Sequence, residues 1–95
     1  MNYESMFLVN QDLSVEEADN INKKVLDYIQ KSGGDIVSTE NLGKQQLAYP
    51  IQKRESAYYY LNYFKMDVEN LDGLEKLYRY DENVIRFLTT TNSAK

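Results

Sequence analysis

The chain has 95 residues, enough for one small domain, and its 42% apolar and 27% charged residues are typical of a folded globular protein. It contains no cysteine and no histidine, which excludes disulfides, thiolate nucleophiles, sulfur-ligated metals and most catalytic constellations. The net charge of -4 argues by itself against a protein that wraps nucleic acid, since phosphate binding depends on lysine and arginine.

The first half of the chain predicts a strand, a helix and a second strand. Residues 3–9 (YESMFLV) are aromatic and apolar and precede the turn-forming sequence NQD, which is typical of a strand. Ser14 followed three residues later by Glu17 is a capping box, and it opens a helix whose apolar stripe is Ala18, Ile21, Val25, Tyr28 and Ile29. The pair Gly33-Gly34 supplies a left-handed stop, and residues 35–42 (DIVSTENL) then predict an edge strand.

Residues 43–54 contain no acidic residue, and we interpret them as a basic loop that follows the edge strand. Pro50, which has no amide hydrogen, is predicted to end the hydrogen-bond ladder of that strand and to turn the chain through residues 52–56. Residues 57–66 (AYYYLNYFKM) are apolar or aromatic on both alternations, so they predict a strand in the middle of a sheet.

The last third of the chain predicts a helix and a final strand. Asp67 is predicted to cap a helix that continues through Tyr80, and Gly73 inside it is expected to cost about 1 kcal/mol relative to alanine. The inward positions of this helix are predicted to be Val68, Leu71, Leu74 and either Leu77 or Tyr78. Residues 84–90 (VIRFLTT) predict the last strand, and residues 92–95 predict a disordered tail.

The order strand, helix, strand, strand, helix, strand predicts an α+β, ferredoxin-like sandwich in a single domain of residues 1–91. Right-handed crossovers then give a four-stranded antiparallel sheet of order 4-1-3-2 with both helices on one face. The other face stays open, and it is expected to expose aromatic side chains because the central strands are apolar on both faces. An exposed apolar patch of that kind usually marks an interface.

No residue pattern points to catalysis, to a metal or to a cofactor. The carboxylate pairs Glu16-Glu17 and Asp81-Glu82 lie at a predicted helix end and in a turn, and the helix dipole explains the first pair. Gly33-Gly34 follows a helix instead of opening one, so it does not resemble a phosphate loop. No apolar run reaches roughly 20 residues and the N-terminus lacks a secretory layout, so we expect a cytosolic protein without a membrane span or a small-molecule substrate.

The tyrosines of the central strand leave a nucleic-acid alternative open. Tyr58, Tyr60 and Tyr63 stand where an RNA recognition motif places its base-stacking aromatics, although the basic and small residues of that motif are replaced by Ser56, Ala57 and Tyr59. The competing interpretation is that these tyrosines fill the core or pack against a protein. A free-standing single-strand RNA binder and a small regulatory module that dimerises through its sheet are therefore both alternatives.

The segment GKQQLAYPI, residues 43–51, closely resembles the signature of the bacterial ribosomal protein S6 family of the small (30S) subunit. An opening Tyr3-Glu4, a third strand centred on Tyr58 and a closing NVIRFL at residues 83–88 agree with the resemblance. The similarity extends from Tyr3 to about Thr90 in the same order of elements.

The resemblance implies a structural, non-enzymatic protein of the cytoplasmic ribosome. It would bind the central domain of 16S ribosomal RNA as a heterodimer with the small basic ribosomal protein S18. A basic partner would explain how an acidic chain can sit on RNA, because it supplies phosphate neutralisation, and opposite net charges would steer the two proteins together.

Five residues are the candidates for RNA contact that the resemblance implies. Lys44 lies in the signature, Arg79 near the end of the second helix and Arg86 in the closing strand, with Lys53 and Arg54 as weaker additions from the basic loop. The alternative is that Arg79 only favours its helix C-terminus and that Lys44 is only solvated. Relatives often carry basic residues where this chain has Asn2 and Gln45, and a smaller or basic residue where it has Gln52, so we expect the isolated chain to bind RNA weakly.

Overall fold

A computed structural model describes residues 2–51 and 53–91 of the chain. The elements are β1 (Asn2–Asn10), α1 (Val15–Lys31), β2 (Asp35–Ile51), β3 (Arg54–Lys65), a 3-10 turn (Val68–Asn70), α2 (Leu71–Tyr80) and β4 (Val84–Thr91). The strands form one antiparallel sheet of order β2-β3-β1-β4. The predicted ferredoxin-like α+β fold, with β1 and β3 at the centre, is confirmed. The predicted tail at residues 92–95 lies outside the described residues.

Helix α1 begins and ends as its local sequence predicts. The Ser14 hydroxyl accepts from the Glu17 amide at 3.1 Å, and the Ser14 amide donates to the Glu17 carboxylate at 2.9 Å. At the other end, Gly33 has a φ of 84°. A Cβ on Gly34 would lie 2.6 Å from the Lys65 carbonyl oxygen, so the glycine pair also lets the chain pass close to β3.

The main core lies between both helices and one face of the sheet. Phe7 of β1 is at its centre, with its ring centroid 5.3 Å from that of Tyr60 and 4.9 Å from that of Tyr78. The other members of this cluster are Tyr3, Val9, Ala18, Ile21, Val25, Ile29, Tyr58, Phe64, Met66 and Leu74. Residues of α1 and α2 share one cluster, so both helices cover the same sheet face, as predicted.

Polar groups inside this core are hydrogen-bonded. The Tyr78 and Ser5 hydroxyls bond each other, and burial raises the pKa of the Tyr78 phenol well above its ordinary value. Burial, together with a hydrogen bond to Asp19, also raises the pKa of the Tyr60 phenol. In the described part of the chain, no buried side-chain nitrogen or oxygen lacks a hydrogen-bond partner. Both phenols therefore stay neutral at ordinary pH.

The start of the second helix differs from the prediction. Asp67 makes no side-chain capping bond, and a 3-10 turn precedes α2, which itself begins at Leu71. In this tight turn the Val68 side chain is 65% exposed, so its predicted inward position is wrong. Leu74 and Tyr78 are buried, and Leu71 and Leu77 pack partly against the core. The 3-10 turn rotates the first residues away from the α-helical stripe that the sequence suggested. Among the described residues, no helix is long and apolar enough to span a bilayer.

Gly73 lies directly against the Tyr28 phenol, so a side chain here would have to displace that ring. A Cβ at this position would clash with the Tyr28 phenol, whose hydroxyl donates to the Asn70 carbonyl at 2.8 Å. We expect Gly73→Ala to lower the free energy of unfolding by about 1–3 kcal/mol, because overpacking outweighs the better helix propensity of alanine. Urea denaturation followed by circular dichroism measures this change.

The matched control for this prediction is the Tyr28→Ala background. There the space beside Gly73 is free, so adding Gly73→Ala should stabilise the helix by up to about 1 kcal/mol. A stabilising effect of Gly73→Ala in the otherwise unchanged chain would contradict the packing explanation.

Candidate nucleic-acid and protein interface

Strand β2 is longer than the sequence predicted, and the basic loop assigned to residues 43–54 is largely wrong. β2 continues to Ile51 and β3 begins at Arg54. Gly43, with a φ of 74°, lies at a register shift and therefore forms a bulge instead of ending the strand. The predicted turn through residues 52–56 is also wrong from Arg54 onward, because these residues belong to β3. Gln52 lies outside the described residues.

Pro50 does lie where the ladder is interrupted. After the bulge, pairing is regular from Gly43 to Gln46 opposite Ser56 and resumes at Ile51 opposite Arg54, so residues 47–50 fall in an irregular interval. A residue without an amide hydrogen fits such an interval, because it has no ladder bond to lose. The proline therefore marks an interruption within the strand and not its end.

The five cationic candidates lie toward the same end of the sheet. Lys44 of β2 pairs with Tyr58 of β3, and Tyr58 pairs on its other side with Val9 of β1. Arg86 of β4 pairs with Leu8, the residue of β1 next to Val9. Arg54 is at the same end, since its Nε donates to Asn10 Oδ1 at 3.0 Å. β2 and β4 are three strand spacings apart, or about 14 Å, so these cations span the width of the sheet.

The same cations do not share one surface. The Lys44 ammonium lies 5.3 Å from the centroid of the Tyr58 ring, on the side of the helices. Arg79 is also on that side, with its guanidinium 6.0 Å from the Phe87 ring. Arg86 is exposed on the opposite, open face. The structure therefore brings the candidates to one end of the molecule and distributes them over both faces there.

Lys53 lies at the tip of the β2–β3 hairpin. It is exposed, and its φ of 66° is unusual for a residue other than glycine. Arg54 beside it is half-buried and hydrogen-bonded, so its guanidinium has a fixed place in the fold.

The open face carries a second, smaller apolar cluster that the sequence did not reveal. Leu8, Ala57 and Ile85 are buried there, and Leu47, Ile51 and Tyr59 pack against them. Leu47 and Ile51 come from the far part of β2, which folds back over this face. Leu47, Tyr49 and Ile51 occupy every second position of LAYPI, and this period of two is the signal that could have predicted a strand with one apolar side.

A pocket of about 160 Å³ opens beside this cluster. It is lined by Met6, Leu8, Leu47, Ala48, Tyr49, Ile51, Tyr59 and Arg86. The lining is apolar apart from the arginine, so the pocket suits an apolar side chain better than a polar ligand. Tyr49 and Leu88 also expose most of their side chains.

The other end of the open face is acidic. Tyr63 of β3 lies there in register with Glu4, and partial loss of hydration together with the carboxylates of Glu4 and Glu40 raises the pKa of its phenol. Two carboxylates at this end disfavour phosphate and favour a basic group. The open face therefore places the carboxylates of Glu4 and Glu40 toward one end and Arg86 toward the other, while the exposed side chains of Lys65 and Glu55 give each end a charge of the opposite sign as well.

The base-stacking alternative does not fit the positions of the tyrosines. Tyr58 and Tyr60 are only 7% and 1% exposed and lie beneath the helices. An RNA recognition motif stacks bases on aromatics of its open sheet face, and these two rings are on the covered face. Tyr63 is half-buried on the open face beside carboxylates, so the three tyrosines do not form a stacking platform.

A larger open groove of about 600 Å³ lies between the helices. Its lining includes Lys24 and Lys76 as well as Asp81 and Glu82, with Tyr80 exposed at the side. Lys76 is already paired with Asp72 at 3.3 Å. Charges of both signs line the groove, so it favours no single class of ligand.

Comparisons with known proteins agree with one another. The family model described as ribosomal protein S6 matches residues 2–91. The small ribosomal subunit protein bS6 of Nitratiruptor sp. is 43% identical over 93 residues, which cover 98% of this chain and 73% of the relative. The corresponding protein of Caldanaerobacter subterraneus is 36% identical over 86 residues, 90% of either chain.

Solved structures show the same fold. A crystal structure of 30S ribosomal protein S6 from Thermotoga maritima superposes with a TM-score of 0.92 at 34% identity, covering 96% of this chain and 86% of that one. An uncharacterised protein of the same organism has a TM-score of 0.59 at 17% identity, which supports the fold alone.

Proposed function

The chain belongs to the ribosomal protein S6 family, and from this premise we propose that it binds the central domain of 16S ribosomal RNA together with ribosomal protein S18. As a member of that family it is a protein of the small ribosomal subunit and not an enzyme. What we propose beyond membership of the family is the RNA that the chain binds, its protein partner and the residues that contact each of them. The observation that carries it is the placement of five cations toward one end of the sheet, with an apolar cluster on the open face beside them.

The end that carries Lys44, Lys53, Arg54, Arg79 and Arg86 is the proposed RNA side. These residues lie on both faces and at the hairpin tip, so they are suited to contact phosphates of adjoining RNA segments and not a single flat helix. Phosphate contacts of this kind position a protein without reading sequence. The acidic far end, with Glu4 and Glu40, would face away from RNA.

The open face is the proposed protein side. The pocket between Leu47, Tyr59 and Arg86 offers a seat for one apolar side chain of the partner, and Leu88 extends the apolar surface along β4. A basic partner would also be attracted by the carboxylates at the Tyr63 end and by the net charge of -4. These features favour a cationic protein with an apolar anchor, which S18 would supply.

The direct test is sedimentation of the tagged chain from a cell lysate on a sucrose gradient. We expect the chain to travel with the small subunit at moderate salt and to form a one-to-one complex with purified S18. A chain that stays at the top of the gradient as a stable homodimer would instead identify a free regulatory module. The control is the same gradient run after dissociation of the subunits in low magnesium, which should leave the chain with the small subunit.

Arg86→Ala is expected to weaken assembly of the heterodimer onto RNA without unfolding the domain, because the side chain is exposed on β4. Removal of one phosphate contact should reduce the slope of log affinity against log salt by about 0.7–0.9. Filter binding or fluorescence anisotropy at several salt concentrations measures this slope.

Lys65→Ala is the matched control for Arg86→Ala. It changes the net charge by the same amount but lies at the far end of β3, opposite Asn2 and Asp35. We expect the slope to stay unchanged in this variant. Equal effects of the two substitutions would show that net charge matters and that Arg86 makes no particular contact.

A further inference from the structure

The end of the β2–β3 hairpin has little support from the rest of the sheet. β1 ends with Asn10 opposite Ala57, so the pairs Gln46 with Ser56 and Ile51 with Arg54 have no third strand beside them. We call this segment, residues 44–51 and 53–56, the arm. A two-stranded ribbon of this length is marginally stable by itself, and it needs contacts outside the ribbon to hold one position.

The base of the arm is a bulge next to a point where β2 is held by a helix. The Asn41 amide donates to Asp19 Oδ1 of α1 at 3.1 Å, which holds β2 against the helix up to this residue. Immediately after it the register shifts, and Gly43 adopts a φ of 74° with no atom near a Cβ built there. The arm therefore starts just after a bulge that bends the strand, and its first two residues, Lys44 and Gln45, are still paired with β3, so the part without a third strand begins at Gln46.

Two apolar side chains supply such contacts for the β2 half of the arm, while Arg54 in the β3 half is hydrogen-bonded to Asn10. Leu47 and Ile51 pack against Leu8, Ala57 and Ile85 on the open face. This small cluster is separate from the main core under the helices. Its loss would free the arm and leave the fold of the domain in place.

We propose that Leu47 and Ile51 are positioning residues that clip the arm to the open face, and this role rests on the proposed function. The clip keeps the hairpin tip with Lys53 at the end of the sheet, beside Arg54, which has its own hydrogen bond to Asn10. It also forms one wall of the pocket that contains Arg86. RNA and protein partner then meet a preorganised surface. Neither residue has to touch RNA for its loss to weaken binding.

Loss of a positioning residue and loss of a phosphate contact change the salt dependence of RNA affinity in different ways. When the clipped arm is only a fraction of the population, the apparent affinity falls by that fraction, while the phosphate contacts of the bound state stay the same. We therefore expect Leu47→Ser to weaken binding of central-domain RNA by the heterodimer about 10-fold with an unchanged salt slope. Lys44→Ala, which removes a charge, should instead reduce the slope by about 0.7–0.9.

The experiment combines these titrations with amide hydrogen exchange on the free chain. Leu47→Ser should speed exchange in residues 44–51 and leave the protection of β1 and α1 unchanged, and Leu47→Met should restore both protection and affinity. Leu42→Ser is the matched control, because Leu42 is an exposed apolar residue of the bulge in the same strand and is expected to change neither quantity.

Each result separates the clip from the proposed function. Unchanged exchange in Leu47→Ser would overturn the clip itself, and faster exchange with unchanged affinity would overturn its positioning role. A shallower salt slope for Leu47→Ser would also overturn it, since that indicates lost phosphate contacts. Failure of the unaltered chain to bind RNA with or without S18 would refute the proposed function, while the exchange data would still decide whether the clip exists.

Discussion

The isolated chain is expected to bind 16S central-domain RNA weakly, and the S18 partner is expected to raise the affinity by at least about 100-fold. The chain carries 15 acidic and 11 basic residues, and only five of its cations are gathered at the proposed RNA end. Even if all five met phosphates, log affinity would fall with log salt with a slope no steeper than about -4.5. A basic partner adds contacts and neutralises the acidic surface.

This prediction is measured by titrating a central-domain RNA fragment with the chain alone, with S18 alone and with both proteins. The expected result is a steeper salt slope for the pair than for the chain alone. An unrelated basic protein of similar size, which does not pair with this chain, is the control for unspecific charge. Tight and steeply salt-dependent binding by the chain alone would contradict the prediction.

Phe7→Ala is expected to cause the largest loss of stability among the single substitutions considered, about 3–5 kcal/mol in the free energy of unfolding. Phe7 is fully buried, and it stacks on Tyr60 while it contacts Tyr78 of α2. Its removal leaves a cavity between the sheet and the second helix and also breaks two aromatic pairs. Because small domains have about 5–15 kcal/mol of stability, the variant would be partly unfolded at elevated temperature.

Leu88→Ala is the control for Phe7→Ala, since Leu88 is a large apolar residue of the same sheet with 56% of its side chain exposed. We expect a change within about 0.5 kcal/mol for this variant. Urea denaturation monitored by circular dichroism gives both values. A loss smaller than about 1 kcal/mol for Phe7→Ala would show that the rings around it can close the cavity.

The candidate site was only partly accessible from the sequence. The lack of acidic residues around the signature pointed to Lys44, Lys53 and Arg54, and the structure places them at one end of the sheet. The contributions of Leu47 and Ile51 were missed, because their role depends on contacts with Leu8, Ala57 and Ile85 far away in sequence. Only the folded chain shows that the arm bends back over the open face.

The fold itself was determined by local signals in the sequence. The capping box at Ser14, the apolar stripe of α1 and the doubly apolar strand β3 each describe short-range periodicity, which the sequence displays directly. Their order, with right-handed crossovers, sufficed for the ferredoxin-like topology. The family signature at residues 43–51 added the identity of the family, because it is a pattern of residues and not a matter of packing.

The tertiary structure decided which residues of each strand lie under the helices and which lie on the open face. The sequence favoured a core or a protein contact for Tyr58 and Tyr60 and left a base-stacking surface as the alternative, and the position of the helices places both rings inside. Gly73 had the local signature of a weak helix position, while contact with Tyr28, 45 residues away, makes it necessary. The physical reason is the same in both cases: period and propensity are local, whereas burial and clashes depend on neighbours that are distant in the chain.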